Sequence, residues 1–262
     1  MLEVIKNLQA NALLFGLMLV RVSALFATAP FLNSRAIPVR IKAGFAVLLV
    51  FVALPLTAAA VGPLPNSTVG FVTLALKELI VGAAMGLVAQ MLFAAVQLAG
   101  SYIDLSAGFA IASTIDPSSN MNLTVLGRVY NMVLTAAFLA IGGHLLLVGS
   151  VVRSFELIRP TQMPRFEFLV QGVIARSDEM FVISLQLAAP LMAALLITDV
   201  ALGIMSRAAP QMNVFIVGMP VKIGIALIGT AILMPTFVTL FTGYADQMFS
   251  DMSRMLVAAG GG

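Results

Sequence analysis

Long apolar runs separated by short polar stretches make up most of this chain. Six of the runs have about the length, roughly 20 residues, that a helix needs to cross a hydrocarbon core of about 30 Å. They cover residues 13–31, 41–61, 69–98, 129–151, 180–205 and 214–241. The pattern predicts an all-α protein built from hydrophobic helices of the integral-membrane type.

Three of these runs are longer than one straight span requires, and polar residues or prolines interrupt them. The interruptions are Lys77 and Glu78 in the third run, Pro190 and Asp199 in the fifth, and Pro220, Lys222 and Pro235 in the sixth. Proline kinks a helix, and at membrane depth the carbonyl that it frees needs a partner inside protein. We therefore expect long, kinked or broken helices that face protein neighbours more than lipid.

Composition supports a membrane protein. Hydrophobic residues make up 61% of the chain and charged residues 10%, whereas a soluble domain carries about 25% charged residues. We predict a single domain over residues 1–262 with no soluble domain. Its longest polar stretch, residues 153–179, is predicted to be a loop with at most a short amphipathic helix, since Pro160 and Pro164 lie within it.

The charge and the counts of cysteine and histidine argue against several classes of partner and chemistry. The net charge of +3 comes from scattered residues with no basic run, which argues against a nucleic-acid partner. Cysteine is absent, so disulfides, thiolate zinc sites and cysteine nucleophiles are excluded. His144 is the single histidine, and we interpret it as a buried, hydrogen-bonded residue rather than a metal ligand or catalytic base. We predict no catalytic residue, no metal and no cofactor.

Lysine and arginine do not orient the predicted spans. Alternate loops hold nearly equal numbers of them, so the positive-inside rule gives no orientation. Either the bias is simply weak, as in many membrane proteins, or the hydrophobic helices do not all cross a bilayer and partner subunits cover some of them.

Ionisable residues inside apolar runs are functional candidates by default, because each costs several kcal/mol unless it is paired or hydrated. They are Arg21, Lys77, Glu78, Asp104, Asp199 and Lys222. They could form interhelical ion pairs or contact subunit carbonyls, or they could belong to an ion relay. A relay usually needs several carboxylates along one route, and the spans offer few.

Glycines and polar residues mark three further features. Gly82 and Gly86 fit the small-xxx-small pattern that lets helices approach closely. Residues 208–222 form a proline-containing polar hinge between two apolar runs, where Gln211 and Asn213 supply amides. Residues 100–120 are small and mildly apolar and end in an Asp-Pro turn signal, which is unlike a spanning helix.

The last of these segments suggests an obstruction in a conduit, although an ordinary interhelical loop has the same composition. In the first interpretation the small residues let the segment move, and Phe109, Ile111 and Ile115 supply a hydrophobic seal. The residues assigned to channel closure are Ser106, Ala107, Gly108, Phe109, Ala110, Ile111, Ala112, Ser113, Thr114, Ile115, Asp116 and Pro117.

Five blocks, in order along nearly the whole chain, resemble the FliR family of flagellar export-gate subunits, whose injectisome counterpart is called SctT. The blocks are FLNSRAIP at 31–38, KELIVG at 77–82, the stretch from AG at 99–100 to DP at 116–117, GHLLL at 143–147 and APQMNVF at 209–215. The resemblance implies a fold like a fusion of FliP-like and FliQ-like helical hairpins, packed in a helical hetero-oligomer that lifts most helices out of the bilayer plane.

The resemblance also implies a function. The chain would assemble with FliP and FliQ, associated with FlhB and near FlhA, in the bacterial inner membrane at the flagellar basal body, in contact with membrane lipid. It would pass unfolded flagellar export substrates, and the family's plug loop corresponds to residues 106–120. Arg21, Lys77, Glu78, Asp104, His144, Asp199, Gln211, Asn213 and Lys222 are then expected to be buried polar residues or to pack against subunits. The alternatives are a secondary transporter of a small solute or ion, which should show an inverted repeat, and an intramembrane enzyme.

Overall fold

Seven α-helices account for the regular structure that the computed structural model describes. It describes residues 2–30, 32–33, 37–58, 61–62, 64–65, 67–109, 125–211 and 213–261. The helices are α1 (Leu2–Thr28), α2 (Val39–Ala58), α3 (Thr68–Ala107), α4 (Val125–Ala140), α5 (Gly143–Leu157), α6 (Phe166–Ala208) and α7 (Val214–Gly260). The predicted all-α class is confirmed.

Five of these helices, α1, α2, α3, α6 and α7, are long and apolar enough to cross a membrane. The predicted fourth span, residues 129–151, is not one straight helix. It is the pair α4 and α5, bent by 64°. The bend lies at Gly142, whose φ of 76° is left-handed, a conformation that glycine adopts without steric cost. The pair counts as a sixth span if both helices cross together.

Three helices continue through the residues that the sequence analysis treats as interruptions. Helix α3 runs through Lys77 and Glu78, α6 contains Pro190, and α7 contains Pro220 and Pro235. The expectation that the helices break at these positions is therefore wrong. A proline removes a single i→i−4 hydrogen bond, and long apolar sequences on both sides keep the helix in place.

The polar stretch predicted as a loop over residues 153–179 is mostly helical. Helix α5 continues to Leu157 and α6 begins at Phe166, so the connection covers only residues 158–165. The prediction fails because the stretch is amphipathic. Phe155, Leu169 and Arg176 are buried on the helices, while many polar neighbours lie on exposed faces.

The chain divides into two compact units. The first consists of residues 1–91, 142–177 and 245–262, and the second of residues 92–141 and 178–244. In the second unit, Phe93 makes edge-to-face contacts with Phe138 and Phe241, with ring centroids 5.3 and 5.6 Å apart. The assignment of one domain to the whole chain stays a prediction.

Close packing of α1 against α3 organises the first unit. A Cβ atom at Gly82 would clash with the carbonyl oxygen of Arg21 and lie 3.0 Å from Cβ of Ala24, and one at Gly86 would clash with the hydroxyl of Thr28. The predicted small-xxx-small packing through Gly82 and Gly86 is confirmed. It brings the middle of α3 against the part of α1 that carries Arg21.

Candidate functional site

Three charged side chains with almost no exposed surface lie together in the first unit, and we call them the buried charge cluster. They are Arg21 of α1 and Lys77 and Glu78 of α3, with exposed fractions of 0%, 1% and 0%. Arg21 donates two hydrogen bonds to Glu78, one from Nε to Oε2 and the other from Nη2 to Oε1 at 2.9 Å. Lys77 Nζ also pairs with Glu78. The single carboxylate therefore faces two cations.

The other N–H groups of the two cations donate hydrogen bonds, mostly to main-chain carbonyls. Arg21 Nη1 donates to the carbonyl of Ser154 at 2.8 Å and to its hydroxyl at 3.0 Å, and Nη2 donates to the carbonyl of Ile158 at 2.7 Å. Lys77 Nζ donates to the carbonyls of Arg159 and Pro160 at 3.1 and 2.8 Å. Carbonyls at a helix C-terminus carry partial negative charge, so the end of α5 compensates the excess positive charge.

An aromatic ring completes the surroundings of Arg21. The guanidinium carbon lies 4.5 Å from the ring centroid of Phe155, within the range of a cation–π contact. The cluster thus ties α1, α3 and the end of α5 together. Sequence reasoning identified the three charges but not Ser154 or Phe155, since neither lies in a recognisable motif.

Asp104 bonds the start of the segment assigned to channel closure and the helix that follows this segment. Its carboxylate accepts hydrogen bonds from the backbone N–H of Leu126 at 3.1 and 3.2 Å, in the first turn of α4, where a negative charge is favourable. Its main-chain carbonyl accepts from the N–H groups of Gly108 and Phe109 at 3.1 and 3.0 Å. Asp104 is buried, as expected, and its partners are backbone groups.

The start of that segment is helical. Ser106 and Ala107 form the last residues of α3, with the Ser106 hydroxyl donating to the carbonyl of Tyr102 at 2.8 Å. The prediction of irregular backbone from residue 100 is wrong up to Ala107, because Ile103 and Ala107 are buried one helical turn apart. Gly108 then turns with a φ of 91°. Ala110, Ile111, Ala112, Ser113, Thr114, Ile115, Asp116 and Pro117 lie outside the described residues.

The predicted hinge and its charges lie in the second unit. Helix α6 ends at Ala208 and α7 begins at Val214, which confirms a helix stop there. Lys222 Nζ pairs with Asp199 at 2.8 Å, joining the two helices. Asp199, Gln211 and Asn213 are exposed in the single chain, so their burial is not observed and their packing against another subunit stays a prediction.

His144 differs in part from its prediction. It lies near the bend at Gly142 and is half-buried. Its Nδ1 is buried without a hydrogen-bond partner among the described residues, because the neighbours in this part of α5 are apolar, so the expected hydrogen bond at that atom is absent. Across all the residues that the structure describes, no group of three or more metal-ligating side chains comes together.

The comparisons with known proteins agree over nearly the whole chain. The sequence profile of "Bacterial export proteins, family 1" matches residues 12–248. The chain is 34% identical to the flagellar biosynthetic protein FliR of Bacillus subtilis (strain 168), over 94% of this chain and 95% of the relative. It is 33% identical to the FliR of Escherichia coli (strain K12), over 91% and 89%. It is 30% identical to the surface presentation of antigens protein SpaR of Salmonella typhimurium, over 79% and 78%.

Proposed function

This chain belongs to family 1 of the bacterial export proteins, the family of the flagellar biosynthetic protein FliR, and we propose on that basis that it is a membrane subunit of a type III protein export gate. The observation that carries the proposal is the similarity to FliR proteins over about nine tenths of each chain. The chain is also similar to SpaR, a protein named for the surface presentation of antigens, over about four fifths of its length.

We further propose that the chain assembles with FliP and FliQ, next to FlhB and FlhA, into a pore in the inner membrane that passes unfolded flagellar proteins. The single chain leaves large apolar side chains uncovered. Examples are Phe51, Met132 and Ile232, with exposed fractions of 68%, 68% and 71%. Extensive apolar surface is typical of a membrane or subunit interface. An assembly of hydrophobic subunits would cover such surface, and this supports the proposal.

The segment of residues 106–120 is proposed to obstruct the pore. Asp104 bonds Gly108 and Phe109 near the start of the segment, and it bonds the N–H of Leu126 in α4, the helix that follows the segment. Two helices would therefore hold the segment at both ends while its small residues allow movement. Phe109, Ile111 and Ile115 would supply the apolar contacts that stop ions.

The charged residues are proposed to hold helices together rather than to carry out chemistry. Glu78 is fully committed to Arg21 and Lys77, and Asp199 is paired with Lys222. We accordingly assign no catalytic residue and no cofactor. The energy for transport would come from other components of the export machinery.

Co-expression tests this proposal. The chain would be expressed with FliP and FliQ from the same organism, extracted in detergent and weighed by native mass spectrometry. We expect a discrete complex with one copy of this chain and several copies of each partner. The chain expressed alone is the control, and it should show no solute flux in liposomes. A stable monomer or homodimer that ignores both partners would contradict the export-gate proposal and favour a transporter.

A further inference from the structure

A narrow groove between α5 and the C-terminal part of α7 lies within the first unit. Its volume is about 260 Å³. Leu145, Leu146, Gly149 and Arg153 line it from α5, and Phe249 and Ser253 line it from α7. The neighbours Leu145 and Leu146 are more than two fifths exposed, so the apolar wall is open to whatever surrounds the protein.

The groove is apolar along most of its length and carries one cation, Arg153, with Leu157 and Leu256 among the other residues that line it. Leu145, Gly149 and Arg153 follow each other at intervals of four residues, which places them along one face of the helix. The leucine and the arginine are therefore about two turns apart, roughly 12 Å at 1.5 Å per residue. No acidic side chain is among the described residues that line the groove, although Glu156 and Asp251 lie nearby in the sequence. Ser253 adds a hydroxyl from the facing helix.

We propose that this groove binds an anionic phospholipid, with part of an acyl chain against Leu145, Leu146 and Phe249 and the phosphate beside Arg153. Basic pockets between membrane helices bind acidic lipid headgroups. The groove has a volume of about 260 Å³, below the roughly 420 Å³ that a single turn of a partner helix occupies at a diameter of about 10 Å and a pitch of about 5.4 Å. Its volume is also below the roughly 300–1,000 Å³ of sites that enclose a whole drug-sized ligand, and it suits one hydrocarbon chain.

Gly149 allows the groove to be filled without disturbing the helix. It is an exposed helical residue, and beyond its chain neighbours and its own helix backbone a Cβ atom built on it has no atom of the described residues within 4 Å. The side chain in Gly149→Leu would therefore enter open space in the groove. Gly203→Leu is the matched control, because Gly203 of α6 is also an exposed helical residue, and a Cβ atom built on it meets the same open space among the described residues.

Arg153→Gln removes the cation, and Arg254→Gln is its control. Arg254 lies one residue after Ser253, is 80% exposed at its side chain and does not line the groove. One favourable arginine near an acidic lipid surface contributes about 1 kcal/mol, so the affinity should fall about fivefold in Arg153→Gln. Gly149→Leu should reduce it at least tenfold, and both controls should bind as the unchanged chain does.

The measurement is native mass spectrometry of the full chain in detergent, titrated with phosphatidylglycerol, with phosphatidylcholine of the same acyl chains, and with glycerol 1-phosphate. We expect selective retention of phosphatidylglycerol. Equal binding of the two lipids would overturn the proposal, as would undiminished binding in Gly149→Leu. Glycerol 1-phosphate binding as tightly as the lipid would instead indicate a small-anion site.

Folding and assembly are controlled separately. The melting temperature of each variant is compared with that of the unchanged chain. If Gly149→Leu does not fold, the proposal is still tested by the lipid selectivity of the unchanged chain and by the lipid affinity of Arg153→Gln. Because lipid binding is measured on the single chain, a failure to assemble with FliP and FliQ would leave this result intact. If the Gly149→Leu chain kept its lipid and lost assembly, the groove would be a subunit interface, and the proposal would be wrong.

Discussion

Replacing Glu78 by glutamine is expected to destabilise the first unit more than any other single charge neutralisation proposed for it. The substitution preserves the size of the side chain but leaves Arg21 and Lys77 as neighbouring buried cations without their carboxylate. At the 2.9 Å that separates Arg21 Nη2 from Glu78 Oε1, one such attraction is worth about 6 kcal/mol at an effective dielectric constant of about 20.

The measured loss should be smaller than the attraction, because the mutant no longer has to desolvate a carboxylate. Removing one partner from a buried ion pair typically costs about 3–5 kcal/mol. Because the total free energy of unfolding of a protein is about 5–15 kcal/mol, such a cost is a large fraction of its stability. We expect the free energy of unfolding to fall by about 3–5 kcal/mol in Glu78→Gln.

Denaturant unfolding of the purified chain in detergent, followed by circular dichroism, measures this loss. Glu156→Gln is the matched control in the same unit, because Glu156 is exposed and surface substitutions usually change stability by less than about 0.5 kcal/mol. A double variant that also carries Lys77→Met removes the second cation, so it should lose less than the sum of the single variants, with a coupling of about 0.5–3 kcal/mol.

The result that would refute this reasoning is a small loss in Glu78→Gln. If it fell within about 1 kcal/mol of the loss in Glu156→Gln, the cluster would be hydrated rather than buried. Strict additivity in the double variant would likewise show that Lys77 and Glu78 do not interact.

Three further outcomes are expected. Gly82→Ala should destabilise the chain by about 1–3 kcal/mol, because the added methyl group overpacks against α1, and the melting temperature should fall accordingly. Gly44→Ala should be neutral or stabilising, because a Cβ atom there meets no atom of the described residues within 4 Å outside its own helix backbone and chain neighbours. Equal melting temperatures for the two variants would argue against the close packing. Asp104→Ala should cost about 0.5–2 kcal/mol of cap energy, seen as faster amide hydrogen exchange at Leu126, and unchanged exchange would contradict the cap. Deleting residues 110–117 should raise ion leakage of the assembled complex in liposomes, and leakage at background would exclude a plug.

Local patterns predicted the features of this fold that local chemistry decides. Apolar runs of sufficient length indicated the helices, and the Ala-Pro-Gln turn signal marked the stop between α6 and α7, because proline and polar residues act within a few positions. The same reasoning failed over residues 153–179. Arg176 looks like a loop residue in sequence, but in the structure it is buried and pairs with Asp251, 75 residues away.

Pairing of the buried charges was beyond sequence reasoning for a similar reason. Arg21 and Glu78 are separated by 57 residues, and nothing near either residue identifies the other. Close helix packing at a glycine explains how the two charges meet. Gly82 brings α1 within backbone contact of α3 one turn after Glu78, so a packing motif that seemed unspecific determines which charges meet.

Glu78, Asp104 and Asp199, the carboxylates predicted to lie in or beside the apolar runs, bear on the choice between an export gate and an ion-coupled transporter. A relay needs groups that exchange partners as ions pass. Glu78 is held by two buried cations, Asp104 caps the first turn of α4, and Asp199 is paired with Lys222. The bonds of Glu78 to Arg21, of Asp104 to Leu126 and of Asp199 to Lys222 each join two helices. Losing either of the first two during a transport cycle would leave buried cations or a helix end without a partner. The carboxylates therefore favour a role in holding helices, as the proposed export-gate subunit requires.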